Sequence, residues 1–505
     1  MGSIINSFYM HMKKASLCFA FSFAILFSIG QTDMVREIDR LNSFNEALAP
    51  LRFLASDELM GRSTTRPEIH IAARYISEQF RSFGLKELTS TDNYFQSFEI
   101  KMISPSANGS LTVGNKTYHI GADLLQTRGS GLQLTAPVVF ASFGSAADLA
   151  NLDVKGKIVV VNMGENDSTK VVAARRFSDA KQKLLQEKGA VALVERYWQS
   201  ASDWELPKHY YTSQHAQVPQ DMALPVFIVH DPSGELPAAV KRSTTGTISV
   251  TGNNLVEVKA KNVMGWVEGT DPQLKNQFVA LSAHYDHLGV ASEPKMVDGK
   301  LDSIYNGARD NAIGVTAVIN AARYFSQHPA KRSILFIAFT GEEMGLLGSK
   351  YFAANPTISM EKIIFNLNID NGGLNDTSLI NVIGLGRTSA DSDIEKACLA
   401  YGLTLRGDPA PEMNLFDRSD NVSLAARGVP APTYGMGVKQ VDESIMRYYH
   451  QLGDEIGNID LAYVVKYMKS YILAARYIAD NPAQPHWKEG DKYEAAWKDL
   501  YSKPK

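Results

Sequence analysis

Cysteine is almost missing from this chain. Two occur in 505 residues, Cys18 and Cys398. A disulfide framework is therefore excluded, and stability has to come from a core or from bound metal. Charge of one sign is missing too: 51 Lys and Arg stand against 54 Asp and Glu, a net charge of −3. Neither nucleic acid nor an anionic membrane finds an electrostatic handle in that balance. No internal repeat is visible. Long apolar runs are absent with one exception, ASLCFAFSFAILFSIG, which ends at Gly30. It is shorter than the roughly 20 residues of a membrane span. Lys13 and Lys14 precede it, and the small residues Ser28 and Gly30 close it. A positive start, an apolar middle and a small-residue end form a signal peptide. The expectation is that residues 1–30 are a signal peptide and that the protein is exported, secreted or periplasmic. It then has no stable membrane insertion after cleavage. An uncleaved anchor is the alternative. Cys18 lies in this run, so the mature chain keeps one cysteine and no internal disulfide.

What remains is ordinary globular material, 45% apolar and 21% charged, too long for one compact core and enough for two or three domains. In IAARYISEQFRSFGL, Ala72, Tyr75, Ile76, Phe80 and Phe83 recur at helical spacing and Gly84 fits a C-terminal cap. KGKIVVVNMG, FSDAKQKLLQEKG and AVALVERY read as strand, helix and strand. They belong to an inserted β/α unit over 109–256, poor in potential ligands. WQSASDWELPKHYYTSQHAQ, within that unit, reads as a long aromatic loop able to overhang a cleft. From Lys261 onward, FVALSA, SILFIAF and IIFNLNI alternate with helices such as NAIGVTAVINAARYF. Strands alternating with helices give a mostly parallel central sheet sandwiched by helices, an α/β fold. Strands that are apolar throughout imply cover on both faces. The last helix, LAYVVKYMKSYILAARYI, has Asp460 as its N-cap. The expected division is an α/β domain over 31–108 and 257–482, the insert over 109–256, and a polar tail over 483–505 that packs on the surface.

Open parallel sheets bind ligands beyond the carboxyl ends of their strands. FVALSA delivers His284 and Asp286 there, SILFIAF delivers Glu342 and Glu343, and IIFNLNI delivers Asp370. Asp310 precedes a helix and His450 stands in YYHQLGDE. Each alone has an ordinary reading. Paired glutamates suit a helix's first turn, Asp310 can cap a helix, Asp370 can close a turn, and His450 can be a surface residue. Together they form a set competent to bind metal. Glu342 and Glu343 are adjacent, so their side chains diverge: one can bind metal while the other accepts a proton. Asp310, Glu342, Glu343 and Asp370 total four negative charges, which would raise one another's pKa in a dry pocket. Two divalent cations balance them, and imidazole with carboxylate suits zinc. His287, three residues after His284, is set aside because a strand-to-loop stretch offers no helical face to pair them. His70 and His328 read as exposed.

In SAHYDHLG, NGARDNAIG, GEEMGLLGS, NLNID and YYHQLGDE, taken in this order, the chain resembles the co-catalytic di-zinc aminopeptidase family. That superfamily also includes leucyl aminopeptidases, glutamate carboxypeptidase, the transferrin receptor and glutaminyl cyclase. The resemblance covers Lys261 to Asp480 most strongly, and LASDELMGR near Leu54–Arg62 also looks similar. The insert resembles a protease-associated domain. The resemblance implies a zinc exopeptidase fold and two Zn2+ per chain. Asp310 then bridges the ions, His284 and Asp370 complete one site, and Glu343 and His450 complete the other. Glu342 is the general base and Asp286 orients the His284 ring. A cis Asp310–Asn311 bond is implied as well.

The implied activity is that of an exported aminopeptidase acting on peptides, through a metal-bridging hydroxide and a glutamate base. Alternatives are a single-zinc glutaminyl cyclase, a carboxypeptidase or dipeptidase, and a receptor-like module that has lost its metals. Two departures bear on this. Many relatives have Ser-Asp-His where Ser419-Asp420-Asn421 stands here. Some also carry a tyrosine where Phe416 stands, and Tyr434 is the candidate to supply that hydroxyl instead.

Overall fold

The computed structural model describes residues 32–502 except 104–107, 130, 167–170, 252–254 and most of 199–223, where 204, 208 and 215–217 are described. The expected signal peptide and most of the aromatic loop lie outside the described residues. The chain divides into two compact units, one of residues 1–98 and 260–505, the other of residues 99–259. No helix among the described residues is long and apolar enough to cross a membrane.

In the larger unit the strands Phe278–His284, Ser333–Phe339 and Ile363–Ile369 lie parallel, with the first in the middle. Every residue of the three is buried. Side chains alternate between faces. Val279, Leu281, Ile334 and Phe336 point into one core with the helices Phe44–Leu54, Ile69–Ser82, Ile313–Gln327 and Leu461–Asp480. Phe278, Ala280, Leu335 and Ile337 point into a second core with Phe352, Leu424 and Val429. Cover on both faces is why these strands are apolar throughout rather than alternating.

Helix ends follow local chemistry. The Asp460 carboxylate accepts the Tyr463 N–H at 3.0 Å. Helix Ile69–Ser82 closes on Gly84, whose φ of +75° suits glycine. The Gly84 and Leu85 N–H groups then reach back to the carbonyls of Arg81 and Phe80, two bonds that satisfy otherwise orphaned acceptors. One residue of the tail departs from a surface role. Trp487 is 2% exposed within the second core, its Nε1–H donating to the Gly428 carbonyl at 3.2 Å. Helix Glu494–Tyr501 follows, and the Tyr501 hydroxyl donates to the Ile363 carbonyl. Trp487 thus belongs to the core, while Tyr493, Trp497 and Leu500 pack against it partly buried and the helix has no fully buried residue.

The smaller unit holds an eight-stranded sheet. Leu132–Phe140, Ile158–Asn162, Ala192–Tyr197 and Val226–His230 run parallel in its centre, and antiparallel strands flank them. Helix Val171–Glu187 links the second of these strands to the third. Lys181 and Glu195 form a buried ion pair at 3.3 Å, which Ser178 joins through Glu195.

One buried cation fastens the loops beyond the central strands. The Arg62 guanidinium, 1% exposed, donates to the carbonyls of Tyr285 at 2.9 Å, Asn306 at 2.5 Å and Gly307 at 2.9 Å, and to that of Leu54. Burial lowers its pKa to about 10, against the opposing charges of Asp310, Asp454, Asp286 and Glu343, so it stays charged at neutral pH. Arg62→Met leaves these carbonyls without donors. It is expected to lower stability by about 3 kcal/mol or more, read as a fall in denaturant midpoint. Arg62→Lys should recover only part, because an ammonium lacks the planar fork.

Candidate metal centre

The three parallel strands end level, with His284 beside Phe339 and Ala283 beside Ile369. Their next residues therefore leave the sheet together at its carboxyl edge. His284 closes its strand, Asp370 follows the Ile363–Ile369 strand directly, and Glu342 and Glu343 follow Ser333–Phe339 after Thr340 and Gly341. Asp310 comes from the irregular turn Ala308–Ala312 before helix Ile313–Gln327, and its bond to Asn311 is cis. His450 has a φ of +55° and comes from the loop after Glu443–Met446.

The donor atoms converge. His284 Nε2 is 3.3 Å from Asp310 Oδ1 and 3.4 Å from Asp370 Oδ1. His450 Nε2 is 3.1 Å from Asp310 Oδ2 and 3.2 Å from Glu343 Oε2. The two oxygens of Asp310 thus face different imidazoles. Ligands at about 2.0–2.1 Å from a tetrahedral zinc stand about 3.3 Å from one another. The observed separations match that spacing, and those made by His284 lie beyond the usual hydrogen-bond range. Asp310 Oδ1 is buried without a hydrogen-bond partner, a costly state unless a cation is meant to meet it. The donor set accordingly fits zinc. Two groups of atoms lie mutually within 4.8 Å, one from His284, Asp310 and Asp370, the other from His287, Asp310 and Glu343. His287, set aside as a ligand in the sequence reading, therefore has a ring nitrogen close to Asp310 and Glu343. Its contact is tertiary, and no helical face is needed to make it.

Electrostatics point the same way. Burial pushes the His450 imidazole's pKa down, but Asp310 and Glu343 outweigh this and hold it at about 10. Burial and the Asp310 charge push the Glu343 carboxyl up, and the His287 and His450 contacts bring it down to about 2. Burial likewise opposes ionisation of Asp310, yet the imidazoles of His284 and His450 keep it below the usual carboxylate range. His284 is pulled well above its ordinary value against its own burial, first by Glu342. These carboxylates demand positive charge, and without a cation the imidazoles supply it by keeping protons. Glu342 behaves differently. Burial raises its carboxyl well above the usual range, and the charges of Asp370, Glu343 and Asp420 outdo the relief from His284.

Backbone donors hold the frame. Asp286 accepts the Glu342 N–H at 3.2 Å and the Thr64 hydroxyl at 3.0 Å. The His284 ring finds the Asp286 backbone carbonyl 3.2 Å from Nδ1, while the Asp286 carboxylate stands 3.8 Å away. Asp454 accepts the N–H groups of Arg309 and Asp310, at 3.0 and 3.2 Å, and the Arg309 guanidinium at 2.9 Å. Asp454, Arg62 and Arg309 were not picked out from sequence, although Asp454 stands in YYHQLGDE and Arg62 in LASDELMGR. Burial of a charged residue inside a motif was the available signal, and a linear reading does not supply burial.

The expected hydroxyl of Tyr434 is not free. Tyr434 is fully buried, and its OH lies 2.7 Å from Ser470 Oγ and 3.4 Å from Cys398 Sγ. Phe416 sits in the second core beneath the Arg387 guanidinium, 3.9 Å from its ring centre. Asp420 is 1% exposed with neither oxygen hydrogen-bonded, and burial pushes its pKa to about 7. Asn421 donates to the Ala431 carbonyl at 3.1 Å. His70 is exposed as expected, whereas His328 is half-buried and stacked on Tyr324.

Residues 262–474 match peptidase family M28. The chain is similar to aminopeptidase YwaD of Bacillus subtilis (strain 168), 25% identical over 376 residues that make up 67% of each protein. It is also 25% identical over 273 residues to the probable leucine aminopeptidase 2 of Aspergillus oryzae, 49% of this chain and 51% of that one. The chain thus spans about half the length of the fungal relative. Among solved structures, the aminopeptidase from Aneurinibacillus sp. strain AM-1 has a similar fold, with a TM-score of 0.59, 20% identity, and 90% of this chain and 98% of that one covered.

The proton balance predicts a pH dependence for the metal-free protein. His450 has a folded pKa of about 10 against 6.5, so its contribution to stability is complete below pH 6.5 and is lost as pH rises through 10. Glu343 has about 2 against 4.5, so its contribution is complete above pH 4.5 and is lost as pH falls through 2. In the chelator-stripped protein these two contributions are both complete only between pH 4.5 and 6.5. His450→Gln should flatten the alkaline limb in a series of thermal melts.

Proposed function

We propose that this chain, whose residues 262–474 match peptidase family M28, is an exported zinc aminopeptidase removing residues from peptide N-termini. The observation that carries the reading is the pair of opposed contacts on Asp310, one oxygen toward His284 and the other toward His450. In this reading His284 and Asp370 would hold one ion and Glu343 and His450 a second, with Asp310 contributing to both. Bound zinc supplies Lewis acidity, which lowers the pKa of water and polarises the scissile carbonyl.

The chain's own residues carry and steer the proton. Glu342 shares a strand end with Glu343 but has no imidazole hydrogen-bonded to it, and burial raises its affinity for a proton. It takes the proton of the attacking water and passes it to the leaving amine. Asp286, through the Glu342 N–H, fixes the turn from which that carboxyl projects. The surrounding frame of buried hydrogen bonds keeps these groups in place without reorganisation during the reaction. The insert is read as a protease-associated-like unit that covers or recruits. Aminopeptidase relatives among the similar proteins support exopeptidase action at a free N-terminus.

Purified protein should contain two zinc ions per chain and cleave aminoacyl chromogenic substrates but not their N-acetylated forms. One ion per chain with cyclisation of N-terminal glutamine would instead indicate a glutaminyl cyclase. Glu342→Gln should keep both ions and lower kcat by about 100-fold or more. Unchanged turnover in that variant would remove Glu342 from its role. Removing zinc with a strong chelator should lower Tm, since ions bound to the folded state alone stabilise it.

A further inference from the structure

His287 belongs to none of the roles above, yet it is 2% exposed and lies within the centre. Its backbone N–H donates to the Arg62 carbonyl at 3.1 Å, so the buried arginine segment sets where the ring begins. The ring lies against Gly307, where φ is +55° and a Cβ would come within 2.5 Å of the ring's Cδ2. Only glycine leaves room for the imidazole there. Nδ1 stands 2.7 Å from Glu343 Oε1, and the ring meets that of His450 edge-on with centroids 5.7 Å apart.

That first distance separates His287 from the four contacts made by His284 and His450. Those contacts run from 3.1 to 3.4 Å, the spacing of two ligands on one tetrahedral cation, about 3.3 Å. A separation of 2.7 Å is that of a charge-assisted hydrogen bond, with no room for an ion between the atoms. Glu343 also divides its oxygens, Oε1 to His287 and Oε2 to His450.

We propose that His287 is a positioning residue that donates Nδ1–H to Glu343 Oε1 and thereby reserves Oε2 for the cation. This rests on the reading of Glu343 as a zinc ligand. A carboxylate free to rotate must be immobilised when metal binds, and loss of such a supporting partner typically costs about 10–100-fold in metal affinity. Asparagine separates this role from direct ligation, because its amide nitrogen reaches the place of Nδ1 and donates, but does not replace an imidazole on zinc.

The test is zinc titration of the stripped full-length protein against a chromophoric chelator, for the wild type, His287→Ala, His287→Asn and Glu343→Ala. His287→Ala is expected to weaken one of the two ions by about 10–100-fold and leave the other unchanged. His287→Asn is expected to restore most of that affinity. Wild-type affinity for both ions in His287→Ala would overturn the proposal. So would a folded His287→Asn that binds as weakly as the alanine variant, since the imidazole would then be a ligand. Should His287→Ala fail to fold, the asparagine variant decides alone. If Glu343→Ala keeps both affinities, the proposal falls together with the reading of the centre beneath it; if Glu343→Ala loses one ion and His287→Ala loses none, the centre stands and this role alone is overturned.

Discussion

Four carboxylates crowd one largely buried site, where the Asp310 and Glu343 side chains are 6% and 8% exposed and that of Asp370 is 21% exposed. Asp310, Glu342, Glu343 and Asp370 meet beyond the central strands, with Asp286 and Asp420 buried close by. In a low-dielectric setting such groups either take up protons or require positive charge. The two responses are divided among the residues. Asp310 and Glu343, flanked by imidazoles, stay ionised, whereas Glu342, Asp286 and Asp420 are pushed toward their protonated forms by burial. One arrangement thus prepares groups suited to hold cations and a group suited to carry a proton, and adjacent residues on a single turn fall on opposite sides of that division.

Holding this charge in place requires a frame that does not yield. Arg62 and Arg309 serve as internal fasteners. Arg62 joins backbone carbonyls from the His284 loop and the Asp310 turn. Arg309 pairs with Asp454 at 2.9 Å, and Asp454 in turn accepts the Asp310 N–H. Buried ion pairs of this kind add little net stability, because desolvation offsets their attraction, but they penalise alternative packings. Here that penalty falls on any movement of the loops bearing the proposed ligands. His287 extends the same logic to a side chain, since its ring is fixed by Gly307 and the Arg62 carbonyl before it reaches Glu343.

Two side chains weighed for a hydroxyl role are committed to packing. Phe416 contributes a ring to an aromatic and cationic cluster with Trp487, Tyr493 and Arg387. Tyr434 spends its hydroxyl on Ser470. Neither has a hydroxyl free to donate to an oxyanion. The tail is thereby tied to Phe416 through Trp487 and Tyr493.

The α/β architecture, the apolar parallel strands, the Asp460 and Gly84 caps and the cluster of metal-competent residues at strand ends were legible in the sequence. They depend on periodicity, local hydrogen bonding and motif order, all of which act along the chain. Tertiary structure decided the rest. It brought His287 onto Glu343 across 56 residues, buried Arg62 among carbonyls more than 220 positions away, consumed the Tyr434 hydroxyl, and drew Trp487 of a polar-looking tail into the core. Each of these depends on which buried polar group has a partner within about 3 Å, and that is settled only when distant segments pack and water leaves.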